Sequence, residues 1–113
     1  MALSITIQHG VGVAAIAGTL TAANVDTFRE TFHTWLTEND AVSNIVMDLG
    51  RVELIDSSGL GTLIALLKRI SERGGDMKLA GLQKKVRLVF EITRAYKIFE
   101  IFDSVEEATR AFA

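Results

Sequence analysis

The stretch Ile55-Asp56-Ser57-Ser58-Gly59-Leu60-Gly61 divides two hydrophobic patterns. Upstream, Ile45, Val46, Met47, Leu49, Val52, Leu54 and Ile55 make an apolar run of strand type. Downstream, apolar residues return at Leu60, Leu63, Ile64, Leu67 and Ile70, the spacing of one helical face. The stretch therefore reads as a strand-to-helix turn, the unit from which parallel α/β sheets are built. Asp56 or Ser57 is expected as the N-cap, because a short side-chain oxygen can accept from the unpaired N–H groups of a first helical turn. Two hydroxyls, Ser57 and Ser58, then stand at the positive end of a helix. That place favours an anion, including a phosphate carried by the protein itself.

Asn44 to Leu49 is apolar on both sides of its alternation except at Asp48, as in a central strand covered on two faces. Ahead of it, Val25, Phe28, Phe32, Trp35 and Leu36 keep helical spacing to about Glu38, where Asn39-Asp40 closes the helix. Thr21, ending the turn Gly18-Thr19-Leu20-Thr21, is the expected N-cap of that helix. At the start, Leu3, Ile5 and Ile7 alternate with Ser4, Thr6 and Gln8. His9-Gly10-Val11-Gly12 then reads as a turn and about Val13 to Ala17 as a second strand, an antiparallel hairpin. After the serine turn, the helix is expected to run to about Arg73 and to end at Gly74-Gly75. Met77-Lys78-Leu79-Ala80 reads as a strand, Gly81 as a turn, and Val86, Val89, Phe90 and Thr93 as a short helix with a basic opening (Lys84, Lys85, Arg87). Ile98 to Ile101 is the candidate last strand. Ser104 and Glu107 have capping-box spacing for a terminal helix that turns Val105, Ala108 and Phe112 inward. This order predicts one α/β domain over residues 1–113: a mostly parallel sheet of four to five strands, an N-terminal hairpin and four helices.

Composition narrows the function. With 23% charged and 49% hydrophobic residues the chain is an ordinary globular one, not a disordered one. A net charge of −2 leaves no basic excess to neutralise nucleic-acid phosphates. The absence of cysteine excludes disulfides and thiolate metal sites. Two histidines, His9 and His33, without a carboxylate cluster do not make a metal site. The start Met1-Ala2-Leu3-Ser4-Ile5-Thr6 lacks the basic region and apolar core of a signal peptide, so a cytoplasmic location is expected. The most apolar window, Leu60 to Leu67, is too short for a transmembrane helix of about 20 residues.

The serine turn admits several readings. The plainest is a capped helix start built from the residue types such starts prefer. A serine hydrolase needs a base within hydrogen-bond reach, usually histidine, and the only histidines are His9, in the first turn, and His33, on the first helix. The turn also departs from G-x-S-x-G, with aspartate at 56 and leucine at 60. No G-x-x-x-x-G-K-[ST] is present, and Gly59-Leu60-Gly61 falls inside the helix pattern, so a phosphate-cradling loop is not indicated. Those two glycines are expected to allow close approach, either of a neighbouring strand or of another protein.

With Asn44-Ile45-Val46-Met47-Asp48-Leu49 ahead of it, Asp56-Ser57-Ser58-Gly59-Leu60-Gly61 resembles the signature of STAS-domain proteins. Within that superfamily it is most similar to the bacterial anti-sigma-factor antagonists of sporulation and stress signalling. The likeness runs through nearly the whole chain: the early hairpin, Gly18, the helix ended by Gly74-Gly75, and Ile98-Phe99-Glu100-Ile101-Phe102-Asp103. The resemblance implies that the serine directly after the aspartate, Ser57, is the phosphate acceptor, with Ser58 the alternative. It implies a partner-binding surface of Thr21, Asp56, Ser57, Ser58, Gly59, Leu60 and Gly61. Thr21 is a departure, since relatives of this kind often carry an acidic residue there. Thr21 can still cap the helix, but it brings no carboxylate to a partner contact at that position.

The resemblance thus implies a non-enzymatic switch with no cofactor of its own. The unphosphorylated form would bind an anti-sigma factor that is also a serine kinase, and so release a sigma factor. Phosphorylation of Ser57, with ATP held by the kinase, would switch binding off, and a phosphatase would reverse it. A chain of this kind is expected to be monomeric when free, with no direct nucleic-acid contact and no membrane insertion. The competing expectation is a structural STAS module of a stress-signalling scaffold or transporter-associated complex, in which Ser57 is only a cap.

Overall fold

The computed structural model describes residues 2–113, so Met1, included in the expected domain, lies outside the described residues. In chain order the elements are β1 (Ala2–Gln8), β2 (Val11–Leu20), α1 (Val25–Glu38), β3 (Ile45–Ile55), α2 (Ser57–Glu72) and β4 (Met77–Ala80), then α3 (Lys84–Ile92), a short 3-10 turn (Ala95–Lys97), β5 (Ile101–Phe102) and α4 (Val105–Arg110). The five strands lie in the order β1-β2-β3-β4-β5. β1 pairs antiparallel with β2, and every other neighbouring pair is parallel. The expected mixed sheet, opening hairpin and four helices are all present.

β3 is the middle strand, and its alternation is apolar both ways. Ile45, Met47 and Leu49 join the larger core with Phe28, Phe32 and Leu36 of α1, Leu63, Leu66 and Ile70 of α2, and Val86 and Phe90 of α3. Val46 points to the other face and packs with Val11, Val13, Ala80 and Ala108 of α4, beside Phe102, Val105 and Phe112. Three helices therefore cover one face of the sheet, and one short helix covers the other. Ser104 caps α4 as its spacing predicts, its hydroxyl accepting from the Glu107 N–H at 3.1 Å.

Four expectations are corrected. β2 does not stop at Ala17 but continues to Leu20, because β3 offers it parallel partners as far as Leu20↔Ile55. Gly18, at φ +101°, lets the strand continue between two register shifts. Thr21 is not the cap of α1: Asn24 precedes the helix, and its side chain holds the incoming turn, accepting from Thr21 N–H at 2.9 Å and donating to Thr19 O at 2.7 Å. The last strand is Ile101–Phe102, not 98–101. Arg94 at φ +61° turns the chain into the 3-10 segment, and Phe99 is buried edge-on against Phe90 at 6.0 Å, which leaves Glu100 outside and delays pairing. On α2 the inward stripe is Gly59, Leu60, Thr62, Leu63, Leu66 and Ile70, so Ile64 is exposed where the sequence pattern placed it inside.

Two tertiary ties have no local signature. Arg73, at the end of α2, donates to the carbonyls of Leu36 (3.1 Å), Asp40 (3.2 Å) and Val42 (2.8 Å), holding the end of α1 and the loop into β3. Lys78 is buried on the α4 face, its ammonium 2.6 Å from Glu100 and 3.3 Å from Asp76 and 4.6 Å from the Phe112 ring centre. Burial pulls that ammonium's pKa down, but the two carboxylates outweigh it and leave it raised.

Candidate functional site

The site is assembled where β2 and β3 end side by side. Asp56 follows β3 in extended geometry and is the N-cap of α2. This resolves the alternative left by the sequence: Asp56 caps the helix and Ser57 is its first residue. One carboxylate oxygen of Asp56 accepts from Gly59 N–H at 2.8 Å, the ordinary capping bond. The other accepts from Ala22 N–H at 3.0 Å, across a sequence distance of 34 residues. The Asp56 N–H donates to Leu20 O at 3.3 Å. One side chain therefore fastens the start of α2 to the turn after β2. The N–H groups of Gly59 and then Ala22 hold its carboxyl below the usual range, despite an opposing contribution from desolvation.

Because Asp56 makes the capping bond, the Ser57 side chain is spared that task and is exposed. Ser58 is half-buried, and its carbonyl accepts from the Thr62 hydroxyl at 2.9 Å. The two glycines have different jobs. A Cβ on Gly59 would overlap the carbonyl oxygen of Leu20, so the close approach here is that of α2 to the end of β2. Gly61 is exposed, and a Cβ there would meet nothing. The fold has no use for that glycine, although it weakens the helix interior by roughly 1 kcal/mol relative to alanine.

Of the seven residues named from the resemblance, the structure brings Thr21 next to the 56–61 turn, through the Asp56–Ala22 bond. Ser57 and Gly61 are exposed, Thr21, Asp56 and Ser58 half-buried, and Gly59 and Leu60 buried, so these last two act through backbone position. The sequence reading missed Ile64, which is 36% exposed one turn beyond Gly61 on the same stripe of α2. The spacing carried half of the signal: Ile64 and Leu66 lie on opposite flanks of Leu63, so one of the two must face outward, and the docking of α2 decides which. The histidines stay away from Ser57. His9 is in the hairpin turn at the opposite end of the sheet, and His33 on α1 shares a groove with Thr62, Ala65 and Leu66 in the middle of α2.

The strand order, the hairpin start and the serine turn define a single-domain α/β protein of STAS type. The STAS domain family model matches residues 2–108, and the chain belongs to that family. It is 30% identical to a Bordetella bronchiseptica protein named "Putative anti-sigma factor antagonist BtrV", over 99% of this chain and 95% of that one. It is 27% identical to the anti-sigma F factor antagonist of Paenibacillus polymyxa, over 92% of this chain and 90% of that one. Its fold matches the anti-sigma factor antagonist SpoIIAA in unphosphorylated form, with a TM-score of 0.71 at 22% identity over 97% and 96% of the two chains. The Bacillus SpoIIAA in phosphorylated form gives 0.74 at 21% over 99% and 100%. Among the described residues, no helix is long and apolar enough to cross a membrane.

Proposed function

We propose that this chain is a non-enzymatic anti-sigma-factor antagonist of the cytoplasm, acting by partner switching with phosphorylation at Ser57. The observation that carries this reading is the division of labour at the start of α2. Asp56 supplies the cap, and the adjacent hydroxyl of Ser57 is left outward, at the positive end of a 16-residue helix. Such a hydroxyl is accessible to a kinase, and the fold tolerates the product. A phosphate adds about −1.5 to −2 charges, which the helix end favours while the neighbouring Asp56 carboxylate makes the patch more negative. A protein surface fitted to the neutral serine meets that charge as a desolvation and repulsion cost.

In this reading the unphosphorylated protein binds an anti-sigma factor that is also a serine kinase, freeing the sigma factor. A phosphatase restores the binding form. Thr21, Asp56, Ser57, Ser58 and Gly61 make the contact surface, with Ile64 added as an apolar contact. Gly59 and Leu60 place that surface without reaching it. The names of the similar proteins support the general role, and the geometry supports Ser57 over Ser58, which is half-buried and lies one residue further along the helix. The test is phosphopeptide mapping after incubation with the anti-sigma kinase and ATP. Phosphate is expected on Ser57, lost in Ser57→Ala and retained in Ser58→Ala. Phosphate confined to Ser58 refutes the assignment.

A further inference from the structure

The two edges of the sheet are treated differently. β5 is two residues long and is flanked by Glu100 and Asp103, charges that discourage another strand from pairing there. β1 is seven residues long, pairs with β2 without a bulge, and contains neither proline nor any charged residue. The chain's 12 basic and 14 acidic side chains all lie from Asp26 onward. None of the usual devices that blunt an edge strand is present on β1.

The apolar residues on this edge are also incompletely covered. Leu3 and Ile5 are only half-buried, and with Trp35 they floor a groove of about 530 Å³ between β1 and α1. Ile7, the next residue on that face, is 53% exposed. We propose that β1 is a self-association surface, and that its occupant is the β1 strand of a second copy, paired antiparallel about a two-fold axis at Ile5.

The strand's chemistry selects this occupant. Leu3-Ser4-Ile5-Thr6-Ile7 has the same pattern read in either direction: apolar, hydroxyl, isoleucine, hydroxyl, apolar. With Ile5 opposite Ile5, Leu3 faces the second copy's Ile7 and Ser4 faces its Thr6. Each apolar residue then meets an apolar one on one face, and hydroxyls meet on the other, the cross-strand pairs that stabilise sheets. A two-fold axis makes the contact self-limiting, since each edge is used once. Seven residues from each copy with the groove residues bury roughly 1,000 Å² in total, the lower end for a specific interface, so the dimer is weak. Glu30 and Glu38 on the groove rim set like charges along the seam and weaken it further. The edge is separated from the serine turn by β2, so the proposed switch surface stays free. On this proposal the monomer expected from the sequence gives way to a dimer as concentration rises.

Because the chain has no cysteine, single-cysteine variants read out the register. At the axis, paired Cα atoms are about 4.5–5.5 Å apart, within disulfide range. Two copies of residue 8 would be about 20 Å apart along the strands. Mild oxidation of Ile5→Cys should give a cross-linked dimer while Gln8→Cys stays monomeric, with thermal melts confirming that both are folded. Sedimentation of the wild type from about 5 to about 500 µM should show a monomer–dimer equilibrium. Ser4→Lys/Thr6→Lys, at exposed positions, sets lysine opposite lysine and should weaken it at least tenfold. A wild type that stays monomeric throughout, equal cross-linking at residues 5 and 8, or an unaffected lysine variant would each overturn the proposal.

Discussion

Gly59→Ala and Gly61→Ala are the same chemical change two residues apart on one helix, and the structure predicts opposite outcomes. Each replaces a helical glycine and so gains about 0.8–1 kcal/mol of intrinsic helix preference. At Gly61 the new methyl enters open space, and that gain should survive nearly whole: about 0.5–1 kcal/mol, or roughly 2–4 °C in melting temperature for a domain of this size. At Gly59 the methyl would overlap the Leu20 carbonyl and sit 2.9 Å from Cγ1 of Ile55. A backbone oxygen in a paired strand cannot rotate aside, so the start of α2 must lift. Lifting it strains the Asp56 N–H bond to Leu20 O and the Asp56 carboxylate bond to Ala22 N–H. Overpacking costs about 1–3 kcal/mol, and each lost hydrogen bond about 0.5–1.5, against the 1 gained. The net loss is about 1–5 kcal/mol, and the two alanine variants should differ by about 1.5–6. Urea unfolding at a single temperature, with unchanged m-values, measures this directly. If Gly59→Ala is as stable as wild type, α2 is not held against β2 as described. Gly61→Ala also has a binding arm. If the partner seats on this stripe, the variant should be more stable and yet bind the anti-sigma kinase more weakly.

Ser57→Asp should leave stability within about 0.5 kcal/mol, because Asp56 already caps the helix and the added charge lies at its positive end. Binding to the anti-sigma kinase should fall at least tenfold, which requires only about 1.4 kcal/mol, and calorimetric titration of that variant beside Ser57→Ala measures it. Wild-type affinity in Ser57→Asp and in phosphorylated protein would leave Ser57 with no switching role. Asp56 has a carboxyl pKa depressed below 3.8, so its contribution is present above the unfolded value and is lost as pH falls through the lower folded value. Asp56→Asn should therefore be less stable than wild type at neutral pH, with the gap closing below about pH 4; denaturant titrations at several pH values test this. Arg73→Ala removes a charged donor from the carbonyl of Leu36 in the last turn of α1 and from those of Asp40 and Val42 in the loop into β3, and should cost about 2–3 kcal/mol, whereas Arg69→Ala on the exposed face of the same helix should cost under about 0.5. Equal effects of the two would show that the Arg73 clamp does not hold the loop.

Much of this fold is legible in the residue order because its signals are local. Period-two alternation in Leu3 to Gln8, the two-sided apolar run of β3 and the helical spacing after residue 57 each depend on neighbours within a turn or a pleat. So do the Gly74 exit from α2, at φ +83°, and the Ser104 cap. The serine turn was readable for the same reason: an aspartate, two serines and a glycine between a strand and a helix are enough to place hydroxyls at a positive helix end. The order of elements, together with the right-handed crossover rule, then leaves few ways to arrange a sheet with its helices.

Other features were decided only when distant segments met. Local spacing allowed either Asp56 or Ser57 to cap α2. The choice is fixed by Ala22 N–H, which lies 34 residues away and engages the second oxygen of Asp56. The sequence shows two glycines but not which is packed; that depends on where the Leu20 carbonyl lies. Ile64 and Leu66 are both compatible with an amphipathic helix, and which is buried depends on the rotation at which α2 docks on α1 and β3. β5 begins three residues later than the spacing suggested, at Ile101, because Phe99 is buried against Phe90 instead of lying along the sheet edge. In each case residue spacing restricts the alternatives within an element, and a contact from another element selects among them. Those contacts form only when the whole sheet is assembled, because they join residues that the chain itself keeps far apart.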